Sequence, residues 1–167
     1  KGSDYFDVSL YTGTGSVNEI GAPVYSQMIK ASNGGWESAP YDPPNGFNST
    51  TGSGSNGYVQ ATSGSNPNSI EFTPPGGIPY TSKVEVFVIN TANTIRLNGG
   101  PEITSDTASA FYTIATGSGV VNSITFTRPS TSGASFSAIR IDGRILKDGD
   151  GDGQLINWTP DFVWLKR

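Results

Sequence analysis

Short stretches in which apolar and polar residues alternate, separated by turn-forming clusters, most restrict the fold of this chain. The clearest example is residues 83–90, in which Val84, Val86 and Val88 share one face. A period of two residues is that of a β-strand, whose successive side chains point to opposite faces. The other stretches with strand-like patterns are 5–11, 58–62, 69–73, 94–98, 111–115, 123–127, 134–141 and 144–146.

The composition supports strands and turns over helices. Gly, Ser, Thr and Asn make up 72 of the 167 residues, and charged residues only 14%. These residues favour turns and strand surfaces, and strands spaced by roughly 8–12 residues are typical of sandwiches. We therefore expect an all-β, antiparallel β-sandwich, jelly-roll-like, with short flanking arms. The expected organisation is an N-terminal arm or end of a preceding module at 1–35, the sandwich at 36–147, and an acidic turn and linker to a next module at 148–167.

Several classes of function are disfavoured by what the sequence lacks. It has no histidine and no cysteine, so the usual general base and thiol chemistry are missing. The net charge is −4 without a Lys/Arg run, which argues against nucleic acid. The longest apolar-rich stretch, Val84–Ile89, is far too short for membrane insertion. We expect no enzyme and assign no catalytic residue, although a carboxylate pair drawn from Glu37, Glu71 and Glu102, or Asp106, stays open.

An acidic repeat near the end of the chain is a candidate metal site. Asp148, Asp150 and Asp152 alternate with glycine, as at the start of an EF-hand calcium loop. The twelfth position of that loop is Thr159, where a bidentate Glu is required. The sequence thus leaves two interpretations, a Ca²⁺ site and a solvated acidic turn. No other cofactor is expected.

Aromatic residues in the turn-rich segments are candidates for binding sugars. Trp36, Tyr41, Tyr58 and Tyr80 lie in or beside such segments. Aromatic rings can stack on pyranose faces while neighbouring polar groups bond the hydroxyls. The alternative for each residue is that it packs a long loop against the core.

Four phrases resemble structural proteins of marine bacteriophage virions, above all tail fibres. They are Tyr11–Ser16 (YTGTGS), Ser69–Ile95, Ala134–Leu146 (ASFSAIRIDGRIL) and Trp158–Arg167 (WTPDFVWLKR). The third phrase is also similar to the last strand of galactose-binding-like jelly rolls. In the fibre proteins the first and last phrases lie close together, whereas here they stand at opposite ends, which suggests one module from a longer fibre.

The resemblance implies a function as well as a fold. It implies a structural module at the surface of a virion, an extracellular particle, with other virion subunits as partners, commonly as a homotrimer, and a host-surface glycan as a possible ligand. Two alternatives stay open. One is a capsid decoration or head-fibre protein, and the other is a carbohydrate-binding module of a secreted protein.

Overall fold

The structure, a computed structural model, describes residues 23–32, 35–52, 54, 57–64, 68–129 and 133–149. Within them are two short 3-10 helices, Tyr25–Met28 and Pro43–Phe47, and thirteen strands. The strands are Ile29–Ala31 (β1), Val59–Gln60 (β2), Asn68–Phe72 (β3), Ile78–Tyr80 (β4), Lys83–Val88 (β5), Thr94–Leu97 (β6), Ile103–Thr104 (β7), Ala110–Thr116 (β8), Gly119–Val121 (β9), Ile124–Arg128 (β10), Ser135–Phe136 (β11), Ala138–Ile141 (β12) and Arg144–Ile145 (β13).

The strands form two main antiparallel sheets. A five-stranded sheet has the order β1-β3-β10-β6-β7, and a four-stranded sheet has the order β13-β12-β5-β8. Two-stranded ribbons, β11-β2 and β4-β9, complete the pairing among the described residues. The all-β, antiparallel sandwich expected from the sequence is confirmed. No helix in the described ranges is long and apolar enough to cross a membrane.

Alternating side chains build the core between the two sheets. Val84, Val86 and Val88 of β5 are fully buried, and so are Ile70 of β3 and Phe126 of β10 in the other sheet. All five belong to one apolar cluster. Strand β5 pairs with both β12 and β8, so it lies in the interior of its sheet. Burial of both inner faces is what holds two amphipathic sheets together.

Two tight turns form at an Asp-Gly pair and an Asn-Gly pair. Asp142 and Gly143 both have positive φ, 49° and 85°, and connect β12 to β13. Asn98 and Gly99, with φ of 51° and 69°, follow β6. Asp-Gly and Asn-Gly pairs tolerate this left-handed backbone, which tight turns between strands require.

Four strands were not expected from the sequence, and one expected strand is divided. β1, β4, β7 and β9 have only two or three residues each, too few to show a period of two. The stretch 134–141 is interrupted at Ser137, so that Phe136 pairs with Val59 while Ala138 pairs with Phe87. Residues 5–11, also predicted as a strand, lie outside the described residues.

The compact unit that carries these sheets runs from Val24 to Asp148. Strand β1 pairs with β3 and is therefore part of the five-stranded sheet. The sheet thus includes residues that precede Trp36, the expected first residue of the sandwich. The remaining residues belong to a second unit, of which the structure describes Pro23 and Gly149. The roles given to the segments 1–35 and 148–167 stay predictions.

Candidate functional site

An irregular segment between β1 and β3 carries three of the four predicted sugar-binding aromatics. Trp36 forms a β-bridge with Ala61, which aligns the beginning of this segment with its end. The Glu37 amide then donates to the Gln60 carbonyl at 2.9 Å, and the Gln60 amide donates to the Tyr41 carbonyl at 3.2 Å. These backbone bonds hold residues 36–41 beside residues 58–61, and the side chains of both stretches meet there.

The structure brings Tyr41 and Tyr58 together. Their ring centroids are 4.7 Å apart with an angle of 36° between the planes, and both side chains are half-buried. Burial raises the pKa of the Tyr58 hydroxyl to about 12, helped by the hydrogen bond to Tyr41 and the negative charge of Glu37. The Tyr58 hydroxyl is therefore protonated at neutral pH, and the two rings present an apolar, partly accessible surface with hydroxyl groups.

Glu37 adds a carboxylate to this pair of rings. Its Oε2 accepts hydrogen bonds from the Ser63 amide and hydroxyl, each at 3.3 Å. Its Oε1 has no partner among the described residues. We name Trp36, Glu37, Tyr41, Tyr58 and Ser63 the tyrosine site. A carboxylate oxygen that is free to accept a hydrogen bond, beside two half-buried tyrosine rings, can bind the hydroxyls of a stacked sugar.

The other two predicted aromatics are more firmly structural. Trp36 packs against the apolar core as well as bridging Ala61. Tyr80 lies on the separate ribbon β4-β9, where it pairs with Gly119, and its ring covers that glycine so closely that a Cβ there would lie 2.7 Å from the Tyr80 hydroxyl oxygen. Whether either residue touches a ligand stays a prediction.

A loop that is anchored in the core supports the tyrosine site. Phe47, between Tyr41 and Tyr58 in sequence, is only 1% exposed and contacts the rings of Tyr25, Phe72 and Phe136 at centroid distances of 5.8, 5.6 and 5.7 Å.

Ser137, at the break between β11 and β12, fastens the next part of the same loop. Its hydroxyl donates to the Gly57 carbonyl, has the Thr50 carbonyl 3.3 Å away, and accepts from the Gly52 amide. Phe47 and Ser137 thus connect the loop that carries the site to the core and to the break between β11 and β12.

A second polar cluster lies on the outer face of the four-stranded sheet. Glu85 is 5% exposed, and its carboxylate accepts hydrogen bonds from Arg140 Nε at 2.7 Å and Lys83 Nζ at 3.0 Å. The hydrogen bond from Arg140 lowers the pKa of Glu85, against the opposing effect of burial. The Arg140 guanidinium also lies 3.7 Å above the Phe111 ring, which packs edge-on against Phe87. Neutralising partners on both sides explain why this acid tolerates burial.

Of the other carboxylates considered for a glycosidase pair, two have partners of their own and the third is exposed to solvent. Glu102 forms an ion pair with Arg96. Asp106 accepts a hydrogen bond from the Tyr112 hydroxyl at 2.8 Å, which lowers its pKa together with a bond from Thr107. Glu71 is on the exposed face of β3. Each acid is thus accounted for by its local structure.

The predicted calcium ligands fall at the limit of the described chain. Asp148 Oδ1 accepts a hydrogen bond from the Ser26 amide at 3.0 Å, and its own amide donates to the Phe47 carbonyl. Asp150 and Asp152 lie outside the described residues. Within the described ranges, no three acidic side chains come close enough to hold a metal ion.

The role of Glu37 at the tyrosine site was missed from the sequence. There it appeared only as a possible member of a catalytic pair, because nothing local shows that residue 37 approaches residues 58 and 63. The signal that could have suggested it is its position next to Trp36 in a segment with few charges.

Comparisons with known proteins give distant structural likenesses. No protein-family model matches the sequence, and no curated protein matches it. Chitosan-binding module 1 of a chitosanase/glucanase from Paenibacillus sp. IK-5 is 13% identical, with a TM-score of 0.47 over 69% of this chain and 93% of that one. A selenomethionine-labelled point mutant of that module has 13% identity and a TM-score of 0.45, over 66% of this chain and 90% of that one.

A putative alpha-L-fucosidase from Bacteroides thetaiotaomicron is also 13% identical, with a TM-score of 0.42, and the similarity covers 72% of this chain but only 27% of the fucosidase. With so few shared residues, what these proteins bind or cleave is a property of those proteins.

Proposed function

We propose that this chain is a non-catalytic module that binds carbohydrate at the tyrosine site. The observation that carries the proposal is the contact of two half-buried tyrosine rings, 4.7 Å apart, beside a carboxylate with a free oxygen. A sugar offers a ring face of C–H groups and a rim of hydroxyls. Aromatic surfaces bind the first and hydrogen-bonding side chains bind the second.

The support beneath the site favours binding over mere packing. The stretch between Tyr41 and Tyr58 is attached at two points, where Phe47 packs in the core and where Ser137 bonds to Gly57. A site that is already ordered does not have to lose conformational entropy when a ligand arrives. Weak contacts with a polar ligand can then yield measurable affinity.

A non-catalytic role agrees with the chemistry of the acids. The chain has no histidine, and Glu85 and Glu102 are ion-paired with Arg140 and Arg96. A glycosidase needs an acid held protonated opposite a second carboxylate across a cleft. Hydrogen bonds from Arg140 and Tyr112 hold the pKa values of Glu85 and Asp106 below their ordinary range, which is the wrong direction for a general acid.

The test is glycan-array screening of the whole chain, followed by calorimetry on the best ligand. We expect Tyr58→Ala and Tyr41→Ala to weaken binding about tenfold or more, since loss of one stacking ring removes roughly 1–3 kcal/mol by analogy with other aromatic stacking. Tyr58→Phe, which keeps the ring, should retain most of the affinity. Tyr112→Ala is the matched control, a half-buried tyrosine on β8. Equal affinity of Tyr58→Ala and the parent chain would refute this location.

The setting in which the module works rests on the sequence phrases that resemble virion proteins. We infer a tail fibre or other appendage at the surface of an extracellular particle, where binding a host glycan would aid attachment. The capsid-decoration and secreted-module alternatives predict the same tyrosine site on a different parent. The full-length gene decides among them: further repeats of the closing phrase WTPDFVWLKR support a fibre, and a catalytic domain supports a secreted enzyme's module.

Self-association is part of the same inference. Strand β8 is an edge of the four-stranded sheet, spans Ala110–Thr116 and contains no charged residue, proline or glycine. Proteins usually protect edges with such residues or cover them with another chain. The resemblance implies a trimer. Light scattering on the purified chain tests it, and a monomer at high concentration would remove this part of the proposal.

A further inference from the structure

The tyrosine site lies in a part of the chain with no cationic residue. Between Lys30 and Lys83 the sequence contains no lysine or arginine, while Glu37 and Asp42 both lie within the loop that carries the site. Lys147 meets this loop through its backbone at Asn48. The loop itself therefore supplies negative charge and no positive charge near the two rings.

One of the two oxygens of the Glu37 carboxylate is available to a ligand. Ser63 uses Oε2 through its amide and hydroxyl, and both bonds are 3.3 Å long. Oε1 has no partner among the described residues. An ammonium group satisfies such an oxygen better than a neutral hydroxyl does, because hydrogen bonds between opposite charges are roughly twice as strong as neutral ones.

The two aromatic rings, like the Glu37 carboxylate, favour a cationic ligand over a neutral one. The face of a tyrosine ring carries partial negative charge and attracts a cation that lies above it. The Tyr58 hydroxyl stays protonated at physiological pH, because burial and the hydrogen bond with Tyr41 raise its pKa. A cation at this place thus meets the Glu37 carboxylate and the Tyr41–Tyr58 ring pair, and no positive charge from the loop itself.

We propose that the tyrosine site selects saccharides that carry a protonated amine, that is 2-amino-2-deoxy sugars, over their N-acetylated forms. The inference rests on the proposed function and adds the chemical class of the ligand. Acetylation removes the positive charge and replaces the ammonium with a bulkier amide, so it abolishes both the pairing with Glu37 and the attraction to the rings. A partly exposed ion pair and one cation–π contact together correspond to a preference of about three- to thirty-fold.

The experiment compares two matched ligands by calorimetry on the whole chain: a glucosamine tetrasaccharide and the same tetrasaccharide fully N-acetylated. It is run below the pKa of the sugar amine. Glu37→Gln keeps the size and hydrogen-bonding capacity of the side chain but removes its charge. Glu71→Gln, at an exposed carboxylate on β3, is the matched control for the net charge of the protein.

We expect the parent chain and Glu71→Gln to bind the amine form about three- to thirty-fold more tightly, and Glu37→Gln to bind both forms alike with the affinity of the acetylated ligand. Equal binding of both ligands by the parent, or a preference that survives in Glu37→Gln, would overturn the inference. In those cases loss of binding in Tyr58→Ala would still support the proposed function. Binding of neither ligand also overturns the amine preference, while the glycan array judges the site itself.

Discussion

Replacing Phe47 with alanine tests whether one side chain anchors the site-bearing loop to the core. Phe47 is 1% exposed and contacts three other aromatic rings at 5.6–5.8 Å. Truncating a buried Phe to Ala costs about 3–5 kcal/mol, more where the cavity cannot collapse. Packing around Phe47 is tight, because a Cβ on the adjacent Gly46 would lie 2.7 Å from Phe136. We expect a loss of about 4 kcal/mol, the middle of this range.

The assay is urea unfolding followed by tyrosine and tryptophan fluorescence, with the slope of the transition compared between variants. A loss of about 4 kcal/mol is a large part of the roughly 5–15 kcal/mol that stabilises an ordinary domain. Phe87→Ala is the control: Phe87 is half-buried on the outer sheet face, where it meets Phe111 at 5.0 Å, and we expect a loss of about 1–2 kcal/mol. If Phe47→Ala cost no more than Phe87→Ala, the anchoring role would be refuted.

Three further predictions concern an acid, a glycine and a metal. The hydrogen bond from Arg140 lowers the pKa of Glu85 in the folded state, so ionised Glu85 stabilises the fold above the unfolded pKa of about 4.5, and this stabilisation is lost as pH falls through the folded pKa. Glu85→Gln should lower the free energy of unfolding by about 1.5–3 kcal/mol at pH 7 and make that free energy less dependent on pH in the acid range. Gly133→Ala should prevent folding, seen by circular dichroism, since its Cβ would lie 1.9 Å from the Ala61 carbonyl oxygen; a well-folded variant contradicts this. If the repeat that begins at Asp148 holds Ca²⁺, millimolar Ca²⁺ should raise the melting temperature, and an unchanged melting curve removes that site.

The class of fold was open to prediction because its signal is local. Alternation of apolar residues in 83–90 or 69–73 and the turn residues Asn98-Gly99 and Asp142-Gly143 are written into short windows of sequence. Each window independently favours a strand or a tight turn. Together they give an antiparallel, all-β sandwich without knowledge of which strand pairs with which.

The arrangement of the tyrosine site is determined by the tertiary structure and cannot be inferred from any short stretch of the sequence. Tyr41 and Tyr58 are far apart in the sequence, and their contact depends on the backbone bonds between residues 37, 41 and 60 and on the burial of Phe47. The free oxygen of Glu37 beside them depends on Ser63 in the same way. Sequence patterns report the conformation of neighbouring residues, whereas a binding site is made by closing loops, and loop closure is decided by contacts between residues that are distant in the chain.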